Sequence, residues 1–80
     1  MFKNKPLTRE YEAKAKNLLK GELKRRGISY AQLVDRLAVI GLPETERNLA
    51  NKLSRGGFTA AFLLQVMAAI GAKSLRLDEE

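Results

Sequence analysis

Residues 28–57 read ISYAQLVDRLAVIGLPETERNLANKLSRGG, and the fold turns on how this stretch is divided. Leu33, Val34, Leu37 and Ile40 recur at the spacing of one helix face. Ser29 stands in front of them as a residue type whose side chain caps helix starts, and Gly41 follows them as a stop. Leu42-Pro43-Glu44 reads as a turn. Thr45 or Glu44 opens a second short helix, with Leu49, Ala50 and Leu53 facing inward and Arg55-Gly56-Gly57 closing it.

The flanking segments extend the same pattern. Thr8 is the expected cap of a first helix running to Arg26, with Tyr11, Ala15, Leu18, Leu19 and Leu23 on its inner side and Gly27 as its stop. Glu12 precedes Lys16 by four residues, the favourable order for an ion pair. Gly21 inside this helix costs roughly 1 kcal/mol against alanine, so close packing is expected there. Thr59 caps a last helix ending at Ile70-Gly71. The expected organisation is an N-terminal arm (1–7), a helical domain (8–73) and a short tail (74–80) that is a strand, a helical turn or frayed. The fold class is all-α, a compact bundle of four to five helices with short connections.

Composition narrows the functions. The chain has 80 residues, no cysteine and no histidine. Disulfides and thiolate or imidazole metal sites are excluded, and the commonest general base is missing. The Asp and Glu residues are scattered over polar faces, so no catalytic pair is expected and no cofactor is implied. No stretch is long and apolar enough to span a bilayer, and no apolar run follows the basic start, so a soluble cytoplasmic protein without a metal or membrane partner is expected. The net charge is +6, with nine Lys/Arg against three Glu in residues 1–26 and near balance elsewhere. Such an excess favours polyanionic partners, nucleic acid first.

Two short helices joined by a tight, glycine-containing turn are the helix-turn-helix pattern. The first helix braces the second, whose N-terminal half fits a major groove. From Ile28 to Gly71 the chain resembles the phage-repressor and Cro-like (lambda-repressor-like) DNA-binding domains. The resemblance rests on Ser29-Tyr30-Ala31-Gln32-Leu33, on Ala50-Asn51-Lys52-Leu53-Ser54-Arg55-Gly56, and on Thr59, Leu63-Leu64 and Ile70-Gly71. The chain also resembles a small group of uncharacterised bacterial proteins sharing TERN…NKLSRGGF. The turn at Gly41 to Glu44 comes about one helical turn later than in the repressor pattern, which requires a longer helix or a wider turn. The segment Gly56-Gly57-Phe58 is shorter than the usual loop and lacks its proline.

The resemblance implies double-stranded DNA as partner and transcriptional regulation as role. It implies base reading by Thr45, Arg47, Asn48 and Asn51, residue types suited to base edges, and phosphate contacts from Ser29, Tyr30, Lys52 and Arg55. Lys16, Lys20 and Lys24, with Arg25 and Arg26, form a secondary basic stripe suited to phosphates or simply to solvent. Residues 1–5 form an arm that either reaches a minor groove or hangs free. The alternative function is a protein-interaction module using the last helix. There Phe62, Leu63, Val66, Met67 and Ile70 fill the core, while Ala60, Ala61, Leu64 and Ala68 stay near the surface as a possible homodimer face.

Overall fold

The computed structural model describes residues 6–78. Four helices follow one another: α1 (Pro6–Arg26), α2 (Tyr30–Val39), α3 (Glu46–Arg55) and α4 (Ala60–Ala69), with no strand among the described residues. The protein is thus an all-α bundle. The long α1 packs on α3, and α2 packs on both α3 and α4.

One apolar cluster holds the four together. Leu19 and Leu23 come from α1, Leu33 and Leu37 from α2, Leu49 and Leu53 from α3, and Phe62, Val66 and Met67 from α4, with Ile70 just beyond it. Leu19, Leu33, Leu37, Leu49, Leu53 and Val66 are fully buried. Burying a leucine completely is worth roughly 1.5–3 kcal/mol, so this cluster dominates what holds a chain with no disulfide together.

The helix starts follow local chemistry. Ser29, Thr45 and Thr59 each hold extended backbone and accept, through the side-chain oxygen, the amide N–H three residues on. Helix α1 begins earlier than expected, at Pro6, with Thr8 inside it. Proline suits a first turn because its missing N–H has no helical partner there and its φ is already helical. Pro6 and Leu7, expected in the arm of residues 1–7, thus belong to α1, and residues 1–5 lie outside the described part.

Helix α2 closes through paired bonds. The amide of Leu42 donates to the Leu37 carbonyl at 2.9 Å, and that of Gly41, at φ 90°, donates to the Ala38 carbonyl. Residues 40–45 form the connection to α3, so the extra length expected between the two helices lies in a wide turn. The same pairing ends α1 at Ile28 and α4 at Ala72, and all three apolar residues lean on the core. Across the bundle, the guanidinium of Arg36 donates to the carbonyl of Ala69 at 3.4 Å, a cation at the end of α4.

The crossing of α1 over the end of α3 is the tightest contact. Gly56 is buried at φ 75°, and its N–H donates to the Lys52 carbonyl. A Cβ there would lie 2.1 Å from the backbone oxygen of Glu12 and 3.3 Å from Cβ of Lys16. Two backbones meet where only glycine fits.

Several expectations are corrected. Gly21 is not a packing site: a Cβ there would meet only the Arg25 guanidinium, at 3.6 Å. Tyr11 is exposed, because it lies at an open cleft whose other walls include Leu63, Leu75 and Leu77 and do not close over it. Ile40 is exposed because the helix has ended at Val39 and the chain has turned. Glu12 makes no ion pair with Lys16, since its carboxylate lies beside Gly57. Residues 74–77 form neither strand nor helical turn, although Leu75 packs on the core.

These contacts rank three alanine substitutions. Gly56→Ala combines a left-handed conformation costing roughly 1–2 kcal/mol with overpacking of roughly 1–3 kcal/mol. At about 4–8 °C per kcal/mol its melting temperature should fall by at least ~10 °C. Gly57→Ala meets only the movable Glu12 carboxylate and should change little. Gly21→Ala should raise stability by about 1 kcal/mol. Thermal melts followed by circular dichroism check the order, and a Gly56→Ala melt close to wild type would contradict the packing described.

Candidate nucleic-acid interface

Buried Leu49 and Leu53 fix which side of α3 faces the core. At 100° per residue, Arg47, Asn51, Ser54 and Arg55 then fall on the opposite side with Asn48 at its margin, and all five are exposed. The side chains of Arg47, Asn48, Asn51 and Arg55 carry no hydrogen bond or ion pair within the described residues. Thus α3 offers two arginines and two carboxamides together. Ser54, whose residue type does not single it out, shares this face, and its hydroxyl donates to the Asn51 carbonyl at 3.0 Å. The spacing of Arg47, Asn51 and Ser54, four residues then three, marks it in the sequence.

Thr45 belongs to a different category. It is the cap of α3, and its hydroxyl oxygen accepts the Asn48 N–H at 3.1 Å. Its oxygen caps the helix start and so positions α3, while its O–H is still able to donate. Ser29 is engaged likewise. Its hydroxyl oxygen accepts the Gln32 N–H at 3.1 Å, and its own N–H donates to Gln32 Oε1 at 2.9 Å, a reciprocal box. Tyr30 is half-buried against the core, which anchors the start of α2.

Lys52 is also engaged. Its ammonium donates to Glu44 Oε2 at 2.5 Å and lies 4.7 Å above the ring centre of Phe62. Phe62 in turn packs on Phe58 with ring centres 5.6 Å apart. Lys52 therefore ties the wide turn to α3 and α4, with its charge already matched. Of the cations expected on α3, Arg47 and Arg55 are the unmatched ones.

The basic helix divides in the same way. Lys16, Lys20 and Lys24 have no ion pair among the described residues, and Lys20 and Lys24 are exposed. Lys16 is half-buried where α1 crosses Gly56, next to Arg55, so the lysine stripe begins at the end of α3. Arg25 and Arg26 instead hold Glu22, which is buried with 6% exposure. Arg25 donates to one carboxylate oxygen, and Arg26 Nε donates to the other at 3.4 Å. The Arg25 hydrogen bond outweighs burial, and with both positive charges it holds the Glu22 carboxyl below its ordinary value of 4.5.

Exposed Leu64, with Ala60, Ala61 and Ala68 also exposed, leaves the outer side of α4 uncovered. Leu63 is half-buried, while Phe62, Val66, Met67 and Ile70 are buried. No described helix is long and apolar enough to cross a membrane, and no three His, Cys, Asp or Glu of the described residues gather as a metal site would require.

Residues 11–75 match the family described as "Domain of unknown function (DUF6471)". No curated protein and no solved structure matches the chain.

Glu22 gives a pH dependence. A carboxyl whose folded pKa is lowered contributes stability above its unfolded pKa and loses it as pH falls through the folded one. Glu22→Gln should therefore melt below wild type at neutral pH, and the gap should shrink as the pH drops below 4.5. Melts across this range check it, and a gap independent of pH would show that the pair contributes through packing alone.

Proposed function

The chain belongs to the DUF6471 family, and we propose that it binds double-stranded DNA as a small transcriptional regulator, with α3 in the major groove. The carrying observation is the outer side of α3, where Arg47, Asn48, Asn51 and Arg55 stand exposed and unengaged. Arginine can hold guanine O6 and N7 with two bonds, and asparagine can do the same with adenine N6 and N7. In this reading Arg47 and Asn51, at the centre of the face, read bases, with Asn48 beside them. Arg55 neutralises a phosphate.

The packing of α2 on α3 and their sequence pattern support a helix-turn-helix core of the lambda-repressor kind, with a turn wider than that pattern has. Thr45 acts by fixing the start of α3, and Ser29 by fixing that of α2. Lys16, Lys20 and Lys24 supply a second set of phosphate contacts beyond the end of α3. Phosphate contacts give affinity and salt dependence, while base contacts give preference among sequences.

This division of labour is separable by experiment. Purified protein is incubated with random duplex DNA at ~0.15 M salt, and the retained molecules are sequenced. Wild type should enrich a motif. Arg47→Ala with Asn51→Ala should lose the motif while keeping the melting temperature. Lys20→Gln with Lys24→Gln should keep the motif, weaken all sequences alike and lower the slope of log affinity against log salt by about two. No enriched motif from wild type, or the same motif from the Arg47/Asn51 variant, would overturn the reading.

A further inference from the structure

We propose that the N-terminal half of α1 is a pairing surface for a second copy of this chain, the two helices lying antiparallel across a two-fold axis. Leu7, Tyr11, Lys14 and Leu18 succeed one another at spacings of four, three and four residues, which makes one continuous stripe. Leu7 and Tyr11 are 63% and 62% exposed. The stripe runs into a cleft of about 220 Å³ with Leu18, Leu63, Leu75 and Leu77 in its walls. Nearly all of this lining is apolar, and Leu77 at its rim is itself exposed. Large apolar side chains grouped around an open cleft are unusual on a solitary small domain.

The flanking charges point to a second copy. Glu10 and Lys14 stand one helical turn apart, and both border the shallow depression that holds Leu7 and Tyr11. A partner of uniform charge would meet one like charge there. A copy of the same helix, turned end for end about an axis between these two residues, brings its Lys14 to Glu10 and its Glu10 to Lys14. That is the self-complementarity a two-fold interface demands. Leu7 and Tyr11 of each copy then reach the cleft of the other. The outer side of α4 lacks these features, for Leu64 is a single large apolar group among alanines.

The surface is distinct from α3, since Tyr11 and Leu18 lie on a different side of α1 from Glu12 and Lys16, which meet Gly56. The experiment therefore needs no nucleic acid, and its outcome is independent of whether the domain binds DNA. Sedimentation of the full chain should show a dimer forming toward high micromolar concentration. Glu10→Lys alone and Lys14→Glu alone each place like charges opposite one another and should weaken self-association at least about tenfold. An equimolar mixture of these two variants should recover a one-to-one dimer, detected by native mass spectrometry. The chain carrying both changes should pair with itself again. Circular dichroism melts confirm that each variant is folded. A wild-type monomer at high micromolar concentration overturns the proposal. So do single variants that associate as wild type does, or a mixture that fails to pair.

Discussion

The architecture depends on one backbone contact, the carbonyl of Glu12 resting where a side chain on Gly56 would stand. Helix α1 can approach α3 this closely only because α3 ends in a residue without a Cβ, held in a left-handed turn. The approach has consequences in both directions along α1. Toward its C-terminus, Leu19 and Leu23 reach the fully buried leucines of α2 and α3. Toward its N-terminus, Leu7 and Tyr11 remain exposed, Tyr11 at the edge of an open cleft shared with Leu63 and Leu75. At the crossing itself, Lys16 is set beside the end of α3. One steric requirement thus helps fix the core and places both surfaces that carry unmatched groups.

Much of the fold was legible because it is written locally. Ser29, Thr45 and Thr59 cap helices through an oxygen reaching three residues on, and the chain reverses at glycines where backbone carbonyls need donors from beyond the helix. The period of the leucines names the inner face of α2, α3 and α4 for the same reason. What the sequence concealed depends on partners. The spacing of Tyr11 places it roughly in line with Leu18 and Leu19, but nothing in that spacing reports that the cleft beside it stays open. Gly21 and Gly56 look alike as letters, yet one borders a movable guanidinium and the other a fixed carbonyl.

Legibility was poorer for the candidate interface, and the reason is chemical. A threonine or serine that caps a helix and one that contacts a base or a phosphate are the same residue, so the sequence does not show that Thr45 and Ser29 each cap a helix, which their hydrogen bonds do. Lysine and arginine carry charge everywhere, but the geometry separates matched from unmatched charge. Lys52, Arg25 and Arg26 have carboxylates within reach, whereas Arg47, Arg55, Lys20 and Lys24 do not. A net charge of +6 says that the chain is attracted to polyanions, and only the unmatched set says from which side.

The separation of the two surfaces on α1 has a further physical meaning. Contacts to phosphates weaken steeply with salt, whereas the apolar part of the proposed pairing, through Leu7 and Tyr11, would not depend on counterion release. A domain that held DNA through one α3 alone would have few base contacts with which to choose a site, each worth roughly 1–3 kcal/mol. Pairing through α1, as proposed, would double those contacts without enlarging the chain. A second α3 would then bind from an already tethered position, which raises the effective concentration at a second half-site. On this proposal the apolar end of α1 would bear on how selectively α3 reads, at a distance from α3's outer face.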